Sequence, residues 1–267
     1  MVGQSNLLKT IDGITNFPRS IILIGDQGCG KDLLIDIISN KLNLNKINLT
    51  SIDSEIINNI LISSIPYIYI IDGDNLDIKQ QNILLKTIEE PLNNSYFIIK
   101  TEYKYNLINT LLNRCLIFKF EDYNKSDLIS FIPDKYKDKT DILVKIFNTP
   151  GKLINLNTID FDSLFEFCDK FVNKLNVASL ANTLTISNKI NYDDTYDKYD
   201  INLLFDTIIY LTLKYYNTLN DIKFLKLYEV TLKYKYNLKN KKYNKEQLML
   251  SYLLTSWKSV KNINEVN

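Results

Sequence analysis

Gly25-Asp26-Gln27-Gly28-Cys29-Gly30-Lys31-Asp32 follows an apolar run that ends at Ile24. The spacing of Gly25, Gly30 and Lys31 is that of a phosphate loop, GxxxxGK[ST]. Its glycines let backbone N–H groups turn toward phosphate, and the next helix adds the positive end of its dipole. The lysine reaches the terminal phosphates, and the closing hydroxyl holds Mg2+. Gly25, Gly28, Gly30 and Lys31 therefore supply phosphate-facing amides and a cation. Asp32 stands where Ser or Thr belongs and sets a negative charge beside the phosphates. A tight turn with an exposed lysine is the plainer reading of the same residues.

The partner of such a loop is an apolar strand that ends in two acids. The first orients the metal ion and the second activates the attacking water. Here Ile68–Ile71 lead into Asp72-Gly73-Asp74, and Gly73 supplies no carboxylate. One of the two roles is unfilled. The plainer reading is that Asp72 and Asp74 cap the next loop.

These groups need a sheet to hold them. Residues 20–120 alternate between short β-rich runs and helical patterns, as an α/β domain does. The predicted strands are Ser20–Ile24, Lys46–Thr50, Tyr67–Asp72, Tyr96–Thr101 and Cys115–Phe120. Near-continuous apolar strands imply a parallel sheet covered on both faces. Between them, Leu33, Leu34, Ile37, Ile38 and Leu42 recur at helical spacing, as do Ile56, Ile57, Ile60 and Leu61. Asp77 and Gln80 form a capping box for a third helix, with Leu84, Leu85 and Ile88 as its buried stripe and Pro91 as its stop. After Phe120 the β signal ends. Residues 123–168 read as short helices broken at Thr149-Pro150-Gly151. From Asp169 the chain is helical, with one amphipathic helix through Leu204, Ile208, Leu211 and Tyr215. A second runs through Leu248, Leu250, Tyr252, Leu253 and Trp257, and Asn191–Asp200 reads as a loop. The expected parts are an α/β base, a small helical lid and a helical C-terminal domain.

Composition narrows the classes. The 267 residues carry a net charge of +1, so whole-molecule charge does not advertise nucleic-acid binding, and the 45% hydrophobic content supports a core. There is no histidine, and Cys29, Cys115 and Cys168 are widely spaced. That excludes a zinc site and points to free thiols in a reducing compartment. Without an apolar run of about 18 residues or a leader-like start, the expectation is a cytoplasmic protein with no membrane contact. The stretch Lys223, Lys226, Lys233, Lys235, Lys239, Lys241, Lys242 and Lys245 is basic. It reads first as a solvated helix face and second as a phosphate contact. Arginine occurs only at Arg19 and Arg114.

With these residues in view, the chain resembles the clamp-loader AAA+ ATPases of DNA replication. Within them it is most similar to the delta-prime subunits of the bacterial DNA polymerase III clamp loader. Val2-Gly3-Gln4 matches the family's opening. Asn82-Ile83-Leu84-Leu85-Lys86-Thr87-Ile88-Glu89-Glu90-Pro91 is nearly its central-helix signature. Asn113-Arg114-Cys115 departs in one residue from its Ser-Arg-Cys motif. Thr149-Pro150-Gly151-Lys152 resembles its sensor-2 segment, with Lys152 where Arg is common. Aligned without gaps, the family's Asp-Glu-Ala-Asp falls on Ile71-Asp72-Gly73-Asp74, so one carboxylate is lost in either register.

The resemblance implies an AAA+ P-loop base over 1–122 with a five-stranded parallel sheet. It implies a helical lid over 123–168 and an oligomerising helical collar over 169–267. It implies ATP and Mg2+ as the ligands of a degenerate site at Gly25, Gly28, Gly30, Lys31, Asp32 and Asp72. Thr101 falls at the sensor-1 position and Lys152 at sensor 2. The resemblance further implies weak or absent ATPase activity, and Arg114 acting on ATP bound by an adjacent subunit. The implied partners are other clamp-loader AAA+ subunits, the sliding clamp, and primed DNA reached through the complex. The alternatives are an active motor subunit of a clamp loader and a structural AAA+ adaptor outside replication.

Overall fold

The computed structural model describes residues 2–62, 65–89, 95–175, 201–238 and 245–261. The chain divides into two compact units, Met1–Thr140 with Asn148–Ile154, and Asp141–Phe147 with Asn155–Asn267.

The first unit opens with α1 (Ser5–Asp12). It then alternates β1 (Ser20–Ile24), α2 (Lys31–Leu42), β2 (Lys46–Leu49), α3 (Ser54–Ile62), β3 (Ile68–Asp72), α4 (Ile78–Glu89) and β4 (Tyr96–Thr101). Short α5 (Asn109–Leu112) leads to β5 (Leu116–Lys119), and α6 (Lys125–Ile129) comes next. The five strands form one parallel sheet in the order β2-β3-β4-β1-β5. The predicted β1 and β4 are found residue for residue; β2 ends one residue early, β3 starts one residue late, and β5 is one residue shorter at each end.

Alternation along the strands divides the core in two, because successive side chains point to opposite faces. Ile21, Leu23, Ile70 and Ile98 pack with Leu34, Ile35 and Ile38 of α2. Ile22, Ile71, Phe97 and Ile99 pack with Ile57 of α3 and Leu84 and Ile88 of α4. The capping box is formed in both directions: Gln80 N donates to Asp77 Oδ1 at 2.7 Å, and Asp77 N donates to Gln80 Oε1 at 3.0 Å. Glu90 and Pro91, which the sequence assigns to the helix end, lie outside the described residues.

Gln4 explains why the chain's opening matters. It is fully buried. Its Nε2 donates to the Glu121 carbonyl at 2.7 Å, and its Oε1 accepts from Glu121 N at 3.0 Å. One amide side chain thus satisfies both backbone groups of the residue that leaves β5.

The second unit holds the helical remainder. It includes α7 (Thr140–Ile146) from Asp141, while α8 (Pro150–Ile154) belongs to the first unit. Residues 123–168 are therefore shared between the two units. Helix α9 (Phe161–Leu175) runs through the expected 168/169 boundary without a break. Helices α10 (Ile201–Leu219), α11 (Ile222–Leu238) and α12 (Lys245–Lys261) follow among the described residues. Tyr252 is its central side chain. The ring is fully buried, lies edge-on to Phe205 at 4.9 Å, and its hydroxyl meets Thr231 Oγ1 at 2.9 Å. Lys235 of the basic stretch is ion-paired with Asp206. The stretch Asn191–Asp200 and Lys239, Lys241 and Lys242 lie outside the described residues. Among the described residues no helix is long and apolar enough to cross a membrane.

Candidate phosphate-loop site

The site lies at the C-terminal ends of the central strands, where open parallel sheets bind ligands. β1 delivers the chain into the loop. Gly28 at φ +78° and Gly30 at φ +101° take left-handed conformations that few other residues adopt. Gly30 caps α2, whose first residue is Lys31. The result is a cavity of about 610 Å3 lined by Gly28, Gly30, Lys31, Asp32, Asp72 and Asp74, with Lys100 and Glu102 beside them.

The segment around Pro150 closes on this loop. Gly151 N donates to the Gly28 carbonyl at 2.9 Å, and Thr149 Oγ1 donates to the Gln27 carbonyl at 2.8 Å. Asn148 Nδ2 donates to Asp26 Oδ2 at 2.5 Å. A Cβ on Gly151 would stand 2.6 Å from Gly28 Cα, so the two glycines meet backbone to backbone. Pro150 and Gly151 line the cavity; Lys152 does not, and its Nζ donates to Asn148 Oδ1 at 3.1 Å.

Several charged groups around the cavity are engaged within the chain. Lys31 Nζ donates to the Gly25 carbonyl and to the Asp26 carbonyl at 3.1 Å, folding back over its own loop. Asp32 Oδ1 accepts from Lys100 Nζ at 2.7 Å. Asp72 caps the turn after β3, accepting from Asp74 N at 3.1 Å and from Asn75 Nδ2. Asp74 accepts from Thr101 Oγ1 at 2.6 Å, Asn106 Nδ2 at 2.6 Å and Glu102 N at 2.9 Å. It is thereby fixed as a structural bracket between β3 and β4. Thr101 is fully buried, serves that bracket and does not line the cavity. Burial pushes the Cys29 thiol up to about 11, with Lys31 acting in the opposite sense, so the loop cysteine is held neutral.

These residues fit a polyphosphate and do not fit a hydrolytic magnesium centre. Gly28, Gly30 and Lys31, at the start of α2, line the cavity. The hydroxyl that would ligate a metal is replaced by a carboxylate already paired to an ammonium. Among the described residues, no three acidic or cysteine side chains are grouped to hold a metal ion.

Arg114 lies elsewhere. Its Nε is ion-paired with Glu89 of α4 and its Nη1 donates to the Thr110 carbonyl at 3.0 Å. Leu111 and Leu112 are buried and Cys115 packs against the same core, so Arg114 is the exposed member of an anchored turn before the edge strand β5. It is not part of the cavity lining.

Lys100 is the residue that sequence reasoning overlooked. Its signal was an apolar strand, Tyr96–Thr101, carrying one lysine at its inner end. By alternation that lysine shares the α2 face with Ile98.

Residues 37–124 match the protein family described as DNA polymerase III, delta subunit. The matched stretch includes β3, β4, Glu89 and Arg114, and leaves out the phosphate loop and residues 149–152. No curated protein sequence matches the chain. Among solved structures, a RuvB variant from Thermotoga maritima is 17% identical with a TM-score of 0.50, over 80% of this chain and 88% of that one. A DNA polymerase III, gamma subunit-related protein of Thermotoga maritima is 13% identical with a TM-score of 0.49, over 96% and 99%. The RuvB Holliday junction branch migration motor of that organism is 21% identical with a TM-score of 0.42, over 48% and 49%. The chain thus spans about half the length of that last protein. At such identity the first of these likenesses speaks to the fold alone.

Proposed function

We propose that the chain is a clamp-loader subunit of the delta-prime kind. It belongs to a hetero-oligomer that opens a sliding clamp and sets it on primed DNA. Its own phosphate loop is not hydrolytic, and Arg114 acts on nucleotide held by a neighbouring subunit. Residues 1–122 form the base, the short helices that follow form the lid, and α9 with the helices after it forms the collar that joins subunits.

One observation carries this reading. The groups that would run hydrolysis are engaged within the chain, while the arginine of the family's Ser-Arg-Cys position stands exposed and outside the cavity. No carboxylate lining the cavity near β3 is placed to activate water, since Asp72 caps a turn and Asp74 is saturated with donors. A guanidinium supplies a rigid fork of donors suited to phosphate oxygens. Delivered across a subunit boundary, such a group raises phosphoryl-transfer rates by about 10³–10⁵.

The test is reconstitution with candidate loader subunits, clamp and primed DNA. Omitting this chain is expected to abolish clamp loading. Alone, the chain is expected to hydrolyse ATP far more slowly than about 1 per second, the low end for ordinary enzymes. Turnover at that rate, lost in Lys31→Ala, would make it a motor subunit instead. Failure to enter any complex of loader subunits would leave an AAA+ adaptor outside replication.

A further inference from the structure

We infer that the Lys100 ammonium takes the place of the divalent cation in this cavity, so that the loop takes a nucleoside polyphosphate without its metal ion. This rests on the reading of residues 25–31 as a polyphosphate cradle and is independent of Arg114.

The argument is one of strand order. In a hydrolytic phosphate loop the metal is held from one side by the hydroxyl after the loop lysine. From the other side it is held by the acid at the end of a neighbouring strand. The corresponding positions here are 32, at the start of α2, and 72, at the end of β3. The strand between β1 and β3 is β4. Its Lys100 is in register with Leu23 on one side and Asp72 on the other. By the two-residue period of a strand, Lys100 and Asp72 point to the face that α2 covers. The lysine therefore rises between the two positions that would ligate a metal. Its Nζ is 2.7 Å from Asp32 Oδ1.

The pairing also accounts for Asp32. A carboxylate at that point repels phosphate unless its charge is offset. Lys100 offsets it, and its ammonium has three donors, so bonding to Asp32 leaves capacity for phosphate oxygens. The lysine side chain is 25% exposed and the aspartate 80% exposed, so the pair opens onto the cavity it lines. Asp72, Asp74 and Glu102 also line the cavity. Asp72 and Asp74 already accept the hydrogen bonds described above.

The experiment is equilibrium titration of the full chain with a fluorescent ATP analogue, in buffer with Mg2+ and in buffer with EDTA. The two affinities are expected to agree within about threefold. Lys100→Met is expected to weaken binding in EDTA by about tenfold or more, with an unchanged thermal midpoint as the check on folding. The double variant Asp32→Thr with Lys100→Met is expected to bind about tenfold more tightly once Mg2+ is added. Tightening of the unaltered chain by about tenfold on adding Mg2+ would overturn the inference. So would undiminished EDTA binding by Lys100→Met. Absence of saturable binding in both buffers would overturn it too, while leaving the clamp-loader reading to its own reconstitution assay.

Discussion

Arg114 and Glu89 form an ion pair that joins the last turn of α4 to the turn before β5. The two residues come from the central-helix and Ser-Arg-Cys-like motifs, which the sequence shows only as separate matches. Contact between them gives the arginine a fixed departure point at the sheet edge. Both side chains are close to half exposed.

Arg114→Ala is therefore expected to leave folding and assembly intact. Under the proposed role, one nucleotide site of a neighbouring subunit should slow by about 10³-fold. Arg114→Lys should rescue little, because a point charge does not reproduce the planar fork. Glu89→Gln should cost no more than about 1 kcal/mol of stability, as exposed pairs do. ATPase assays on the reconstituted complex, with sedimentation as the assembly check, decide the matter. Full activity in an assembled Arg114→Ala complex would remove this residue from the mechanism.

Gly151→Ala is expected to destabilise the first unit by about 1–3 kcal/mol, the usual cost of forcing atoms into a packed contact. The added carbon would meet the backbone of Gly28, which has no flexible end to yield. Urea unfolding of the variant reads the loss directly. An unchanged midpoint would mean that the Pro150 segment does not rest on the phosphate loop.

Gln4→Ala should cost about 1–3 kcal/mol, because it leaves two backbone groups of Glu121 without their partner. Gln4→Glu should not restore the loss, since a carboxylate cannot donate to the Glu121 carbonyl. Thermal unfolding of the three proteins side by side is the measurement.

Stability should fall in alkaline buffer. Burial raises the Cys29 thiol to about 11 and the Cys115 thiol to about 12, and raises Cys168 and the Tyr252 hydroxyl as well. In the unfolded chain a thiol ionises near about 8.5. The folded state therefore holds protons that the unfolded state releases. Their contribution is complete below about pH 8.5 and is lost as pH climbs toward 11 to 12. A thermal midpoint that stayed level up to pH 11 would contradict this.

The central strands β1, β3 and β4 were legible because each is a largely apolar run buried on both faces; the edge strands β2 and β5 carry exposed residues and were read from their shorter apolar runs between turn residues. The Asp77–Gln80 cap was legible because its partners are three residues apart. The glycine turn between β1 and α2 was legible for the same reason, its glycines being local. Lys100 was not, since its partner Asp32 is separated from it by 68 positions and only strand order brings them together. The saturation of Asp74 by Thr101, Asn106 and Glu102 escaped notice for a related reason. The pattern marked two acids after a strand, and only the fold tells a bracket from a catalytic base. Lys152 matched a motif by position, yet its ammonium goes to Asn148, one helical turn back.

The strand order also bears on how the chain is made. β1 lies between β4 and β5 and pairs with no other strand. A ribosome therefore releases the Ser20–Ile24 run long before either neighbour exists. At about 5–20 residues per second, that run waits several seconds for the Tyr96–Thr101 strand and longer still for Leu116–Lys119. Throughout that interval an apolar edge is open on both sides, which is the kind of segment that nascent-chain chaperones shield and that crowded polysomes cross-pair.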